Sequence, residues 1–155
     1  MNILAIDTSG NWLTVICGNA DGVKASFSEQ IGNQHSERVV GVVREVLAKA
    51  GIQLSDLGLA GVVAGPGSFT GLRVGISFVK GLAIALGIRT AGINSLDALA
   101  HAALGSGSKF VSPVIDARKG QLYAALYDVG GQAPRLCSDH CAVAPAEWFA
   151  SLTAG

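Results

Sequence analysis

At 155 residues and 15.7 kDa, the chain makes one domain or two small ones. Half of it is apolar and its mean hydropathy is +0.46, which excludes an intrinsically disordered protein. Eleven Lys and Arg balance eleven Asp and Glu, which excludes a strongly basic nucleic-acid binder, because neutralising phosphates takes a surplus of cations. Charged residues make up only 14%, against ~25% in an ordinary globular domain, so part of the surface is expected to be covered by a partner.

Residues 2–6 form a short apolar run ending in Asp7-Thr8-Ser9-Gly10, and residues 12–17 are a second strand-like run. Asn19-Ala20-Asp21-Gly22 is a turn cluster, and Val23, Ala25 and Phe27 alternate after it. This pattern predicts three antiparallel strands joined by short turns. From Ser36 the period changes. Val39, Val42, Val43, Val46, Leu47 and Ala50 fall at helical spacing, and Gly51 stands in the usual terminating position. Residues 60–64 read as a buried strand and 65–71 as a glycine-rich loop. Leu72, Ile76, Val79, Ala83 and Leu86 mark a second helix, which Gly87 ends. A strand over 90–93 and a third helix capped by Ser95 follow. Gly105-Ser106-Gly107-Ser108 is a flexible polar linker. The pattern then restarts, with a strand over 110–115 ending in Asp116, a strand over 122–127, a turn at Gly130-Gly131 and a helix start over 145–152. The strand-Asp-turn-strand opening resembles residues 2–17 and makes a weak internal repeat.

Three cysteines, Cys17, Cys137 and Cys141, are too few and too odd in number for a disulfide framework and fit a reducing compartment. Cys137-Ser138-Asp139-His140-Cys141 gathers three soft ligands without a fourth or a standard spacing, so it reads as ordinary strand or loop and no metal site is expected. The first residues lack a basic region, so no signal peptide is expected. The longest uncharged run, 57–72, is broken by glycines and reads as strand plus loop rather than a membrane span. The cytoplasm is the expected location.

Gly65-Pro66-Gly67-Ser68-Phe69-Thr70-Gly71-Leu72-Arg73 is the strongest local feature. A glycine-rich turn leading into a helix can cradle an anion on free N–H groups. It is neither a Walker A loop, since Leu72-Arg73 follows Gly71, nor a dinucleotide fingerprint, since Thr70 stands where the third glycine belongs. The other reading is packing, because Gly71 and Gly75, four apart, bare one helix face to a close neighbour. Asp7 and Asp116 each end a strand. They either bracket a magnesium–phosphate between two lobes or simply cap their turns. The candidate anion-binding set is therefore Asp7, Ser9, Gly67, Ser68, Thr70 and Asp116. His35-Ser36-Glu37-Arg38 opens the first helix with Ser36 or His35 as cap. Val39 stands four residues after His35, so the zinc-protease pattern is missing. His101 and His140 are isolated, and Ser68 lacks the companions of a hydrolase triad.

Taken in order, Asn2-Ile3-Leu4-Ala5-Ile6-Asp7-Thr8-Ser9, His35-Ser36-Glu37-Arg38, the 65–73 loop with Gly75 and Lys80-Gly81-Leu82-Ala83, Asn94-Ser95-Leu96-Asp97-Ala98-Leu99, and Ile115-Asp116-Ala117-Arg118-Lys119-Gly120 with Tyr123 resemble the TsaB family over residues 1 to 128. The resemblance implies an α/β fold of the actin/hexokinase/Hsp70-like (ASKHA, ribonuclease H-like) class. A mixed five-stranded sheet with helices forms the first lobe, 1–104, followed by a linker, 105–109, and an incomplete second lobe, 110–155. It implies a non-catalytic subunit that binds the catalytic TsaD through two helices of its first lobe. The ATPase TsaE joins them in placing threonylcarbamoyl on the adenosine beside the tRNA anticodon. TsaD holds metal through a His-x-x-x-His pair, which this sequence lacks. ATP and metal are then expected on partner subunits, tRNA only through the complex, no membrane contact, and a homodimer in isolation.

The residues themselves suggest where a partner sits. Both leading helices carry apolar residues beyond one stripe, Val40 on the first and Phe78, Leu82 and Ile84 on the second, and surplus apolar surface marks interfaces. The expected partner-binding set is His35, Arg38, Val39, Val42, Val46, Leu72, Gly75, Ile76 and Val79, with no catalytic residue. Two rival readings are a small-molecule kinase of the same fold using Asp7 and Asp116 around Mg-ATP, and a metallopeptidase.

Overall fold

A computed structural model describes residues 1–153, so the last two residues of the expected second lobe lie outside the described residues. The chain divides into two compact units, one over Met1–Ile93 and one from Asn94 onward.

The first unit contains β1 (Asn2–Asp7), β2 (Trp12–Asn19), β3 (Gly22–Gln30), α1 (His35–Ala50), a 3-10 turn (Leu54–Asp56), β4 (Leu57–Gly65), α2 (Phe69–Leu86) and β5 (Arg89–Asn94), whose last residue is counted with the second unit. Its sheet runs β3-β2-β1-β4-β5. β1 pairs antiparallel with β2 and parallel with β4, so the five-stranded sheet is mixed. Register places Leu4 beside Cys17 and Ala60, and Ile6 beside Val15 and Val62. Side chains alternate along a strand, so these six residues share one face, and all are buried. α1 lays Val39, Val42, Val43, Val46 and Leu47 into the same core, and α2 adds Val79. Gly51 and Gly87 end the two helices at φ +66° and +67°, a left-handed conformation that a Cβ disfavours. Gln34, rather than Ser36 or His35, is the residue before α1. His35 is already helical and turns its ring inward, with Nε2 3.2 Å from the Trp12 carbonyl oxygen.

The second unit contains α3 (Ser95–Ala102), β6 (Phe110–Val111), β7 (Val114–Arg118), β8 (Gln121–Ala124), β9 (Tyr127–Asp128), β10 (Arg135–Leu136), β11 (Cys141–Val143) and α4 (Pro145–Thr153). Its strands form two small sheets, β10-β9-β6 and β11-β8-β7. The strand expected over 110–115 is split at Pro113, which has no N–H to donate to a ladder, and β6 and β7 go to different sheets. The strand expected over 122–127 divides likewise into β8 and β9. Between them the Leu126 N–H donates to the Ser138 hydroxyl at 2.9 Å instead of to a strand.

The unit boundary also differs from the expected one. It falls before Asn94 rather than in the Gly105–Ser108 linker, because α3 buries Leu96 and Ala100 with Ala125, Tyr127 and Val129. The internal repeat extends further than the sequence suggested. The sheet order β11-β8-β7 matches β3-β2-β1, and α4 follows β11 as α1 follows β3.

Candidate partner-binding face and glycine seam

The site begins where β1 ends. Asp7 accepts a hydrogen bond from the Ser9 N–H at Oδ1, 2.7 Å away, and this closes a tight turn. The buried Thr8 donates its hydroxyl to the Gly71 carbonyl at 2.7 Å, and the Ser68 N–H donates to the Ser9 carbonyl at 2.6 Å. A Cβ at Gly71 would run into the Thr8 carbonyl oxygen, and one at Gly75 into the Thr8 hydroxyl with a Val62 methyl 3.2 Å away. Glycine is required at both positions because α2 lies against the end of β1 at backbone distance. The seam is closed by the chain's own sheet.

Several sequence expectations are corrected by this geometry. Gly75, Val79, Val39, Val42, Val46 and His35 are buried in the first unit, so none of them is presented to a partner. The apolar stripe that identified the helices is their core side, since period 3.6 marks the face that packs and not the face that is free. Leu72 and Ile76 are half-buried. Arg38 is half-exposed, pairs with Glu29 at 3.0 Å and lies over the Phe27 ring.

The candidate anion-binding residues are divided between the two units. Asp7, Ser9, Gly67 and Ser68 come together at the β1–α2 junction, where their polar groups bond to one another. The Ser68 hydroxyl caps α2 by accepting from the Gly71 N–H at 3.3 Å. Thr70 is exposed on the first turn. Asp116 lies in the second unit, where Oδ1 accepts from the Arg118 N–H at 2.7 Å, the same turn as at Asp7. Arg118 and Lys119 there adopt φ +67° and +52°.

The outward side of α2 carries part of the surplus apolar surface expected from the sequence, Ile84, whereas Phe78 and Leu82 are half-buried against the core. Phe69, Arg73, Ser77, Lys80 and Ile84 fall at i, i+4, i+8, i+11 and i+15 and are all exposed. That spacing places them on one stripe. Phe69 is 74% and Ile84 83% exposed, and the Arg73 guanidinium stacks over the Phe69 ring at 5.1 Å. Only four of the eighteen α2 residues are buried. By length and composition alone α2 would pass for a membrane span, but it packs on the sheet and its solvent stripe carries two cations. On α1, Glu37, Val40, Gly41, Arg44 and Ala48 are exposed together. A Cβ at Gly41 or Gly81 would meet nothing within 4 Å. The signal was present in the sequence as the complement of the apolar stripe.

In the second unit the Tyr127 hydroxyl donates to Asp97 at 2.5 Å and lies 2.8 Å from His140 Nε2, so His140, isolated in sequence, has partners in space. Burial first, then the hydrogen bond and negative charge of Asp97, push the Tyr127 phenol above its ordinary range. Cys137 and Cys141 direct their thiols at the Arg135 and Ala124 carbonyls. Among the described residues no three His, Cys, Asp or Glu side chains cluster as metal ligands do.

A mixed sheet with two helices on one face, followed by a unit that opens on the same strand-turn-strand plan, defines an α/β protein of the hexokinase-like class. ROK hexokinase from Thermus thermophilus superposes with a TM-score of 0.50 at 15% identity, over 88% of this chain and 48% of its own, which speaks to the fold alone. Residues 27–153 match the family described as TsaD, tRNA N6-adenosine threonylcarbamoyltransferase. The tRNA threonylcarbamoyladenosine biosynthesis protein TsaB of Bacillus subtilis is 38% identical over 130 residues, covering 82% of this chain and 55% of that protein. YeaZ from Pseudomonas aeruginosa superposes with a TM-score of 0.86 at 32% identity, over 93% of this chain and 68% of that one. The chain belongs to the TsaB family, and it spans about half the length of the curated relatives it matches.

Proposed function

We propose that this chain is a non-catalytic subunit of the machinery that forms threonylcarbamoyladenosine on tRNA, and that it holds a TsaD-type subunit against the outward side of α1 and α2. The observation that carries this reading is the stripe from Phe69 to Ile84, where two large apolar side chains stand free on a helix whose inner face is already packed. Exposed apolar surface of this kind marks an interface, and an aromatic beside an arginine is the usual composition of its energetic centre. The TsaE-type ATPase joins the pair. ATP and metal belong to the partner subunits, tRNA is met only through the assembly, and the setting is the cytoplasm. In isolation the same face associates with a second copy. The turn carboxylates Asp7 and Asp116 are engaged by their own backbones, so the kinase reading gains no support from them.

Sedimentation of the chain with the TsaD subunit of the same organism tests the proposal. Ile84→Glu or Gly81→Glu is expected to weaken the complex at least about ten-fold, since a buried unpaired carboxylate is costly. Undiminished association of both variants would refute the reading.

A further inference from the structure

We infer that the tip of the β7–β8 hairpin, Arg118 and Lys119, is a contact for phosphates of an RNA backbone. The inference rests on the reading of the chain as a subunit of a tRNA-modifying machinery. It adds a contact that this chain's own residues make once the assembly has formed.

The backbone of the tip carries the first half of the argument. Arg118 stands opposite Gln121, so β7 and β8 are joined by the two-residue turn Lys119-Gly120. The favoured tight turns of this kind need positive φ at both central residues and are dominated by Asn-Gly, Asp-Gly and Gly-Gly. Here Lys119 takes the first place at φ +52°, with Gly120 at +75°. The register also shifts between Asp116 and Arg118, and Arg118 is left-handed at φ +67°, a conformation that glycine commonly supplies at a bulge. Among the described residues no other non-glycine residue has a positive φ. A disfavoured backbone kept at two successive residues points to a use for their side chains, and both side chains are cations. In the matching turn of the first unit the Ser9 N–H donates to Asp7 and Gly10 follows, so that tip carries no positive charge.

The chemistry of the side chains supplies the second half. Residues 118 to 121 are all exposed, and neither cation forms an ion pair or a side-chain hydrogen bond among the described residues. Asp116 is the one carboxylate of the hairpin, and its Oδ1 is turned to the Arg118 N–H. A two-residue tip on the surface does not enclose a small molecule, which takes a concave site. From 116 to 121 no apolar side chain is larger than that of Ala117, so the tip lacks the anchors of a protein interface, whose centre is also poor in lysine. A phosphate backbone is held by separate points of positive charge, Lys as a compact cation and Arg as a two-pronged donor. The machinery in which the chain is placed handles tRNA, a phosphate polymer. Two such contacts suit a chain of zero net charge, because they add to the affinity of an assembly without making this chain an RNA binder by itself.

The experiment titrates an unmodified tRNA transcript of the same organism onto the complex of this chain with the TsaD subunit, read by fluorescence anisotropy between about 50 and about 200 mM NaCl. The double variant R118N/K119N removes both charges and installs a residue that tolerates positive φ, and circular dichroism melts confirm that it folds. It is expected to join TsaD as the unaltered chain does, to bind the transcript about ten-fold more weakly at about 100 mM NaCl, and to lower the slope of log affinity against log salt by about 1–2. Lys119→Arg keeps the charge and is expected to keep the slope. Unchanged transcript affinity and slope in R118N/K119N, with the complex intact, overturns the hairpin contact and leaves the subunit reading standing. Loss of TsaD association in that variant also overturns it, since the cations then serve a protein contact. Weakened ATP binding with transcript binding unchanged overturns it in favour of a free nucleotide. A complex of the unaltered chain that binds no transcript removes both readings.

Discussion

The Thr8 hydroxyl donates to the Gly71 carbonyl at 2.7 Å, and the same oxygen occupies the space that a side chain at Gly75 would need. The Thr8 hydroxyl therefore excludes a side chain at Gly75, and the Thr8 backbone carbonyl excludes one at Gly71. Together they explain why the glycine-rich stretch is a packing element between a strand end and a helix.

Gly75→Ala is expected to cost about 1–3 kcal/mol, because an added methyl in a filled site forces backbone or rotamer shifts. Thr8→Ala costs about 1–2 kcal/mol through the lost buried hydrogen bond. The double variant relieves the clash, so urea unfolding of all four proteins should show a coupling of about 1 kcal/mol or more. Simple additivity would mean that Thr8 and Gly75 do not share the space.

Gly41→Ala and Gly81→Ala should act in the opposite direction. Both positions are in helix interiors and face open space, so alanine stabilises each helix by about 0.5–1 kcal/mol, read as a higher urea midpoint. A lower midpoint for either would place a neighbour where the structure has none.

Tyr127 makes the second unit sensitive to base. Its phenol is held above its ordinary range by burial and by Asp97, and tyrosine in an unfolded chain ionises near ~10. The folded state therefore favours the protonated form. This contribution is complete below pH ~10 and is lost progressively as pH rises above it. Tyr127→Phe should cost about 1–3 kcal/mol at neutral pH, the worth of a hydrogen bond to a charged group, and should remove most of the alkaline sensitivity. Circular dichroism followed alongside tyrosinate absorbance measures this. Tyr127 ionising near pH ~10 with the fold intact would contradict it.

Lys119 sits at φ +52° between Arg118 at +67° and Gly120. L-residues pay about 1 kcal/mol for that region and glycine does not, so Lys119→Gly should raise stability by about that amount in urea titration. A loss of stability would show that the lysine side chain anchors the turn.

Element types in the first unit were legible because each carries a clean period. The two-residue alternation of β1 to β3 and the valine spacing of α1 determine which side of each element is apolar, and the glycines at 51 and 87 terminate the helices. The second unit was read less well. Its strands are two to five residues long, too short for periodicity, and the divisions at Pro113 and at Ala125-Leu126 depend on which sheet each fragment joins. The linker at 105–108 was visible as composition, but α3 joins the second unit because of long-range burial against Ala125 and Tyr127.

The sequence by itself determined the family, the mixed sheet and the presence of two helices with more apolar surface than one core uses. Only the tertiary structure decided which side of those helices is free. A periodic stripe states that a helix has an apolar face but not what that face touches, and the answer came from Thr8, which is 63 residues from Gly71 in sequence and hydrogen-bonded to it in space.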